Sequence, residues 1–363
     1  MRIAYFLAWN GYQKDGVTSK ILSQIKYWKL MGHHVHIFVV SNQKMEDSGK
    51  VFGDDSSYFC AFSGKYNIKN YLFHKIFTVA EVRKKIKKFS PDIIYYRFGT
   101  YYPGLGSILR DYPVVCEINT DIAGELSKRG KFLGIYYRLF RDLQFSKCDG
   151  FIFMTEEIRD AFPLKTIANK VITNGYDLSG IDSIKEYKNK DHIDLIMVAS
   201  ADRPWYGIEK LMWLATKMPE CDFHIVGPEK CDCPDNVIMY GYLEHEKLVS
   251  MYKDMDFGLG IFSLYEIGMQ QACSLKVREY IAYGLPVITA NYDPDLQNSD
   301  CVLILPNTQD NIYNSVSSIK RFVHRKIETF TDISLLRKKI DIAEKESERC
   351  AFFEYIVSQR NNG

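Results

Sequence analysis

Short apolar runs alternate along this chain with longer segments in which apolar residues recur at a helical spacing. The first run, RIAYFL, precedes the segment VTSKILSQIKYWKLMG. In that segment Val17, Ile21, Ile25 and Leu30 lie near a period of about 3.6 residues, and Gly32 ends the pattern. The pattern therefore predicts a buried strand followed by an amphipathic helix.

The alternation continues in two rounds. The further predicted strands of the first round are HVHIFVV, PDIIYYR, PVVCEI, GFIFMT and KVIT. Those of the second round are IDLIMVAS, DFHIVG, NVIMYG, DFGLGIF, PVITA and CVLILP. Helical segments such as AEVRKKIKKF and EHEKLVSMYKDM stand between them, and the C-terminal segment is helical and polar. Because strands that alternate with helices form parallel βαβ units, we expect an α/β protein with two doubly wound parallel sheets.

The stretch NGYDLSGIDSIKEYKNKDH (174–192) interrupts this periodicity with Gly, Ser, Asn and charged residues, and we interpret it as a linker. We therefore divide the chain into an N-terminal domain (1–175), a linker (176–192), a C-terminal domain (193–340) and a C-terminal helix (341–363). The helix is expected to cross back to the N-terminal domain. Two such domains predict a cleft at the carboxyl ends of both sheets, where α/β sheets bind ligands.

The composition fits a globular protein of about two domains, with 363 residues, 46% of them hydrophobic and 14% aromatic. No apolar run approaches the ~18 residues that a membrane-spanning helix needs, and the first residues lack the pattern of a signal peptide. We therefore expect the protein in the cytoplasm. Nine cysteines without paired spacing predict reduced thiols rather than a zinc site.

The charge is unevenly distributed. Residues 1–180 carry a net charge of +9 and the remainder −7, against +2 for the whole chain. This asymmetry predicts that the two halves face different partners. Two basic segments, RKKIKKF (83–89) and SKRGKFLGIYYRLFRDLQFSK (127–147), either lie on anionic lipid or pack on their own sheet with their charges in solvent. Nucleic acid is not an expected partner, because the chain has no nucleic-acid-binding module.

The segment SLKVREYIAYGLPVI (274–288) carries the candidate chemistry. Ser274 is placed to cap a helix by accepting a hydrogen bond from a free backbone N–H. The first-turn N–H groups favour an anion, above all a phosphate, and Lys276 adds a positive charge. Glu279, one turn further, can accept two hydrogen bonds from a diol such as a ribose. A capped helix with an exposed Lys–Glu pair has the same spacing, so the spacing alone leaves both interpretations open.

The same segment resembles the signature S-x-K-x-x-E-Y-x-A-x-G-x-P-V-I of the retaining glycosyltransferases of family four. Other stretches match in order, namely Gly16 after the first strand, VITNGYD, SADRPWYGIEKL, FHIVG and MYGYLEHEKLVSMYKDMDFGLGIF. The resemblance implies the GT-B fold, in which two Rossmann-like, doubly wound parallel-sheet domains face a central cleft. It also implies a nucleotide diphosphate sugar as donor substrate and no further cofactor.

Four residues match positions that bind the donor in that family. By this resemblance Glu279 binds the ribose and Arg203 holds the diphosphate. The backbone of Gly16 meets the donor from the N-terminal domain, and Gly227 lines the nucleotide pocket. With Ser274 and Lys276, these residues form the predicted donor-binding set.

Two positions depart from the family pattern. Tyr206 stands where the family has a lysine, and we infer that Lys276 replaces its charge. Gln271 stands where the family has the first of two paired glutamates. Glu266, in the sequence SLYE, is the candidate sugar-facing carboxylate in its place.

The end of the strand PVVCEIN carries Glu117 and Asn119, and Asp121 follows. Members of the family often have a histidine in this region, so one of these three side chains is predicted to orient the acceptor hydroxyl. Polar groups at a strand end without a catalytic role are the alternative. The sequences DMD (254–256) and DPD (293–295) imitate a metal-binding D-x-D motif, but the first ends a helix and the second lies in a turn, so we expect no metal site.

Together these features predict a retaining, metal-independent glycosyltransferase. It would move a sugar from a nucleotide diphosphate donor to a hydroxyl of a glycan or lipid-linked acceptor, in the assembly of a bacterial capsule, lipopolysaccharide or other surface polysaccharide. One alternative is a nucleotide-sugar 2-epimerase on the same fold, although the sequence shows no convincing set of carboxylates and histidines for proton transfer. The other is a non-catalytic member that binds a nucleotide-sugar or a partner enzyme, an alternative that the departures at Tyr206 and Gln271 leave open.

Overall fold

The chain folds into two compact units, each with one parallel sheet. Unit 1 comprises Met1–Ile172 and Ile342–Gly363, and unit 2 comprises Thr173–Asp341. The structure is a computed structural model, and it describes residues 1–8, 16–41, 51–60, 68–99, 101–120, 131–162, 167–181, 192–200, 203–325 and 329–362.

The strands are numbered in chain order. Those of unit 1 are β1 (Arg2–Ala8), β2 (His34–Ser41), β3 (Ser56–Cys60), β4 (Ile93–Arg97), β5 (Val114–Ile118), β6 (Gly150–Phe153) and β7 (Ala168–Val171). Those of unit 2 are β8 (Ile193–Val198), β9 (Cys221–Val226), β10 (Val237–Gly241), β11 (Phe257–Leu259), β12 (Val287–Thr289) and β13 (Val302–Ile304).

The helices follow the same convention. They are α1 (Gly16–Leu30), α2 (Ile68–Phe89), α3 (Leu105–Leu109), α4 (Lys131–Phe145), α5 (Glu156–Asp160), α6 (Ile208–Lys217), α7 (His245–Tyr252), α8 (Leu275–Ala282), α9 (Asn311–Val323), α10 (Ile333–Ile340) and α11 (Ile342–Asn362). Short 3-10 turns occur at Pro204–Tyr206, Leu264–Ile267 and Pro294–Leu296. Of these helices only α11, at the C-terminus, returns to unit 1.

The sheet of unit 1 has the strand order β3-β2-β1-β4-β5-β6-β7, with every pair parallel. Helices cover both of its faces, and successive side chains of a strand point to opposite faces. Tyr95 of β4 packs against Trp28 of α1 and Phe353 of α11. The next residue, Tyr96, accepts a hydrogen bond from Gln144 of α4. Therefore α1 and α11 lie on one face, and α4 lies on the other.

Helix α2 shares the face of α4. Phe89 at its end contacts Phe38, which pairs in register with Phe6 of β1. Phe6 in turn stacks on Tyr96, the residue that meets α4. Helix α3 contacts both α2 and α4, so these three helices form one continuous layer.

The sheet of unit 2 has the order β10-β9-β8-β11-β12-β13, again with every pair parallel. Its two faces are buried under separate apolar clusters. One cluster includes Leu211 of α6 and Ile312 of α9. The other includes Leu248 of α7, Val277 of α8 and Leu336 of α10. Burial on both faces explains why the sequences of these strands are nearly continuous apolar runs.

The prediction of two doubly wound parallel sheets is confirmed. The sequence pattern did not predict β3, α3 or α5. β3 is an edge strand that begins with two serines, and α3 and α5 have only five residues each, too few to show a helical period. Among the helices in the described ranges, none is both long enough and apolar enough to cross a bilayer.

Candidate active site

Helix α8 and its N-cap residue carry three of the predicted donor-binding residues, and the position of the helix against the sheet depends on a glycine. Gly258 lies in β11, where a Cβ atom would overlap the ring of Tyr280 of α8. The hydroxyl of Tyr280 accepts a hydrogen bond from the backbone N–H of Val198 at 2.7 Å. Because Val198 is the last residue of β8, this contact fixes α8 against the carboxyl end of the central strand.

Ser274 occupies the N-cap position of α8 and has the extended backbone of an N-cap residue. The prediction that its hydroxyl caps the helix is wrong, because this hydroxyl makes no capping bond to the described first turn. The serine therefore does not satisfy the N–H groups of that turn, and an anion can contact them. Donor binding by Ser274 stays a prediction.

Glu279 is buried, and its carboxylate has partners from three elements. Its Oε2 accepts a hydrogen bond from Nζ of Lys276 at 2.9 Å. Its Oε1 accepts one from the hydroxyl of Tyr176 at 3.2 Å and lies 3.4 Å from Nδ1 of His245. Burial and the neighbouring carboxylate raise the pKa of Tyr176 well above its usual value, so its hydroxyl remains a donor at neutral pH.

Arg278 connects α8 to one segment that precedes it in the chain and to another that follows it. Its buried guanidinium pairs with both oxygens of Asp293 and with Asp295, and its Nε donates to the carbonyl of Asn174 at 2.9 Å. Asp293 and Asp295 are the two carboxylates of the DPD sequence. They are therefore engaged by an arginine.

The other D-x-D sequence also serves the fold. The side chain of Asp256 accepts a hydrogen bond from the backbone N–H of Asp194 at 2.9 Å. Within the ranges that the structure describes, no group of three or more His, Cys, Asp or Glu side chains is placed to hold a metal ion.

Gly227 follows β9 directly and passes close to the end of β8. Its φ of 112° lies in the region that favours glycine, and a Cβ would overlap the carbonyl oxygen of Ala199. Its N–H donates to the carbonyl of Gly241, at the end of β10, at 2.8 Å. The backbones at the carboxyl ends of β8, β9 and β10 therefore meet at Gly227, on the edge of the sheet where ligands bind in this architecture.

Arg203 precedes the 3-10 turn Pro204–Tyr206, and its guanidinium carbon lies 4.9 Å from the ring centroid of Trp205. This turn connects β8 to α6, so Arg203 belongs to the same edge of the sheet as Gly227. The predicted contact of Arg203 with a diphosphate stays a prediction.

Lys210, in the first turn of α6, is a buried cation that the sequence analysis did not select. Its Nζ donates to the carbonyls of Phe262 and Thr308 at 3.1 and 3.2 Å, and to Oδ1 of Asn311 at 3.0 Å. Burial lowers the pKa of Lys210. The three groups that accept its hydrogen bonds are two carbonyls and an amide oxygen, which carry no charge. The amine ties α6 to the segment that leads into Glu266.

Glu266 is exposed on the 3-10 turn Leu264–Ile267. The turn is held in place at Tyr265, whose backbone N–H donates to Asn307 at 3.0 Å and whose ring lies 4.7 Å from the amine of Lys210. Gln271 forms an isolated parallel bridge with Tyr292. The role of Glu266 as a sugar-facing carboxylate stays a prediction.

In unit 1 the predicted residue Glu117 lies at the centre of a buried charge network. Its Oε1 accepts a hydrogen bond from Nζ of Lys20 at 3.0 Å and lies 3.5 Å from Nη1 of Arg349. Its Oε2 accepts bonds from Nη1 of Arg97 and Nδ2 of Asn119, each at 3.0 Å. Three cations therefore surround one carboxylate that is completely buried.

Burial alone would raise the pKa of Glu117, but the charges of Lys20, Arg349 and Arg97 outweigh it and hold this pKa well below its usual range. Burial lowers the pKa of Lys20 to about 8, although the carboxylate opposes that shift. Asn119 bridges the pair, because its Oδ1 accepts from Lys20 at 2.9 Å while its amide donates to Glu117.

The remaining predicted residues of unit 1 are Gly16 and Asp121. Gly16 is exposed and is the first residue of α1, after β1, so its backbone belongs to the first turn of that helix. Asp121 lies outside the described residues. The prediction that one of Glu117, Asn119 and Asp121 orients an acceptor stays untested.

Several partners of the candidate residues were not found from the sequence. Lys20, Arg97 and Arg349 around Glu117, and Tyr176 and His245 around Glu279, come from distant parts of the chain. A lone lysine on a helix, or a lone histidine near a helix start, gives no local signal of such contacts. The spacing of Lys276 and Glu279 did give one, and the structure places these two side chains in contact.

Comparisons with known proteins agree with this architecture. A family model described as Glycosyltransferase Family 4 matches residues 14–179. The UDP-glucuronate:glycolipid 2-beta-glucuronosyltransferase of Xanthomonas campestris pv. campestris is 30% identical over 77 residues, which span 20% of this chain and 19% of that protein.

Solved structures resemble the whole chain. The lipopolysaccharide outer core galactosyltransferase WaaB in its apo form has a TM-score of 0.67 at 15% identity, over 98% of this chain and 100% of that chain. A trehalose-6-phosphate synthase, studied for glycosyl transfer with retention, has a TM-score of 0.68 at 13% identity, over 98% and 99%. Residues 14–179 match the family model for family 4 glycosyltransferases, and the two parallel sheets give the chain the GT-B fold of these solved structures.

Proposed function

We propose that this protein transfers a sugar from a nucleotide diphosphate donor to a hydroxyl of a glycan or lipid-linked acceptor, with retention of anomeric configuration and without a metal ion. The observation that carries the proposal is the buried carboxylate of Glu279, held by Tyr176 and Lys276 at the start of α8. A ribose diol is its natural ligand, because a carboxylate accepts two hydrogen bonds side by side.

The partners of Glu279 differ in a way that suits ligand exchange. The side chains of Lys276 and His245 are 31% and 61% exposed, whereas that of Glu279 is 4% exposed. A donor can displace the exposed partners, and Tyr176 keeps the carboxylate oriented. Lys276, released from Glu279, then lies at the same helix end as the first-turn N–H groups.

Positive groups at this edge of unit 2 would stabilise the leaving diphosphate as its charge grows. They are the first-turn N–H groups of α8, Lys276 and Arg203. The proposal needs no metal, because the carboxylates of DPD are engaged by Arg278 and Asp256 of DMD is engaged by a backbone N–H. Glu266 is assigned to the donor sugar, and Glu117, Asn119 and Asp121 to the acceptor region of unit 1.

We further propose a role in bacterial surface polysaccharide assembly at the cytoplasmic face of the membrane. The names of two similar proteins support this, since one is named as a transferase acting on a glycolipid and the other as a galactosyltransferase of the lipopolysaccharide outer core. A retaining mechanism is supported by the similar trehalose-6-phosphate synthase.

The test is a screen of nucleotides and nucleotide-sugars by thermal shift, followed by a transfer assay with the donor that binds. A ligand that binds only the folded state raises the melting temperature, by an amount equivalent to about 2.7 kcal/mol at a hundredfold excess over Kd. We expect transfer to persist in EDTA and NMR to show the donor's anomeric configuration in the product. Binding without transfer across a broad acceptor panel would favour the non-catalytic alternative, and sugar epimerised without acceptor would favour the epimerase.

A further inference from the structure

Helix α4 exposes an aliphatic stripe on the outside of unit 1. Ile135, Leu139 and Leu143 are 56%, 70% and 47% exposed, and their spacing of four residues places them on one side of the helix. The opposite side is well packed, because Phe145 contacts Phe151 and Gln144 donates to the hydroxyl of Tyr96. Packing on the sheet therefore does not account for the stripe.

The stripe belongs to a layer that is also strongly basic. Helix α2, in the same layer, exposes Lys84, Lys85, Lys87 and Lys88. Arg83 of α2 pairs with Asp111, just after α3, at 2.7 Å, which links the helices of the layer. Among the described side chains of α4 the one exposed acid, Asp142, is paired with Arg141 at 2.9 Å.

The charge of the whole unit has the same sign. The residues of unit 1 carry 29 Lys and Arg against 20 Asp and Glu, a net charge of +9, whereas those of unit 2 carry −7. A second copy of the chain docked symmetrically through this layer would bring two basic surfaces together, which is unfavourable. An anionic bilayer satisfies both features, since it takes aliphatic side chains into its boundary region and lysines at its headgroups.

We propose that the layer of α2 and α4 is a membrane-docking surface that recognises anionic lipid. The stripe Ile135, Leu139 and Leu143 enters the boundary between headgroups and acyl chains, and the lysines of α2 contact the headgroups. The surface deepens the proposed function, on which its biological meaning rests, because a lipid-linked acceptor is presented at such a surface. Docking itself requires neither donor nor acceptor.

The experiment is vesicle flotation of the full chain without substrates. The probes are vesicles of phosphatidylcholine alone and of an equimolar mixture of phosphatidylcholine and phosphatidylglycerol. We expect binding to the anionic vesicles only, and its loss at high salt, because screening shortens electrostatic reach from about 10 Å at 0.1 M to about 3 Å at 1 M. Absence of binding to anionic vesicles at low salt would overturn the proposal.

Two sets of variants separate the aliphatic and the basic parts. Leu139→Asn should lower the partition coefficient of the protein onto anionic vesicles about tenfold, because an aliphatic side chain is lost from the lipid boundary. Replacing the four lysines of α2 with Gln should lower it by about fivefold for each lysine that reaches the vesicle surface. The matched control is Leu30→Asn, because Leu30 is 71% exposed but lies on α1, on the other face of the sheet. Equal losses from Leu139→Asn and Leu30→Asn would contradict the assignment of the surface.

Two further measurements make the outcomes distinct. Thermal unfolding shows that each variant is folded, so a loss of binding is not a loss of structure. Sedimentation velocity tests whether a second copy of the chain covers this layer instead. If the chain is a dimer that Leu139→Asn dissociates, and it does not bind vesicles, the layer is an interface between copies and the proposal is overturned. If the chain binds vesicles but transfers no sugar, the proposed function is contradicted and the docking surface is supported.

Discussion

Two buried glutamates, Glu117 in unit 1 and Glu279 in unit 2, show how a carboxylate enclosed in an ion network differs from one whose partners can exchange with a ligand. Both are almost inaccessible to solvent. Glu117 is enclosed by three cations, of which Lys20 and Arg349 are themselves buried. Glu279 is held by one tyrosine and by two side chains that are partly or largely exposed. Burial of the carboxylate is common to both, so the exposure of the partners is what distinguishes them.

The difference has a physical meaning for ligand binding. Removing a partner from Glu117 would leave a charge in an environment of low dielectric, so the network resists exchange. The exposed partners of Glu279 can return to water at little cost, and a ligand hydroxyl can then take their place. The sequence selects Glu279 by its match to the family signature and Glu117 as one of three polar residues near a strand end, but it does not show the partners of either residue.

The largest expected effect is on stability, from Glu117→Gln. The substitution keeps the shape but leaves Lys20 and Arg349 without their shared buried carboxylate, which should destabilise unit 1 by about 3–5 kcal/mol. Denaturant unfolding followed by circular dichroism measures this, with Glu279→Gln as the matched variant. A Glu117→Gln protein as stable as the wild type would contradict the structural role assigned to the network.

A smaller effect, on donor affinity, is expected from Glu279→Gln. Loss of hydrogen bonds to a charged carboxylate should cost about 1.5–3 kcal/mol, or about ten- to a hundredfold in Kd. Isothermal titration with the nucleotide-sugar found by the screen measures it, and Arg203→Ala should weaken binding by a similar factor. Glu246→Gln is the control, because Glu246 is an exposed glutamate of the neighbouring helix α7. If donor affinity is unchanged in both Glu279→Gln and Arg203→Ala, the assignment of this site is wrong.

The smallest expected effect is the dependence on acidic pH of the stability difference between the wild type and Glu117→Gln. The pKa of Glu117 in the folded protein lies well below the ordinary value of 4.5, so its ion pairs stabilise the fold above pH 4.5 and are lost as the pH falls below it. The advantage of the wild type over Glu117→Gln should shrink by at most about 1.4 kcal/mol per pH unit in that window. Unfolding curves of both proteins between pH 5 and pH 3, roughly the range that linkage predicts, measure it. A constant difference across the range would show that Glu117 does not titrate as the network requires.

The sequence by itself determined the fold class and the local part of the donor site. Alternation of apolar runs with helical periods predicts parallel sheets, because each strand of such a sheet is buried on both faces. The contact of Lys276 with Glu279 also follows from sequence, since residues three apart meet on a helix surface. Gly227 and Ser274 are placed at a strand end and a helix start by the same local patterns.

Only the tertiary structure decided which side chains surround the two glutamates. Lys20 is 97 residues from Glu117, and Tyr176 is 103 residues from Glu279. Such neighbours depend on the strand order and on the return of α11 to unit 1, which brings Arg349 to β5. A periodic pattern shows on which face of its own helix or strand each residue lies, but it contains no information about which other element packs on that face. For that reason the sequence located both glutamates, and only the packing showed that Glu117 lies in a closed ion network while the partners of Glu279 are open to exchange.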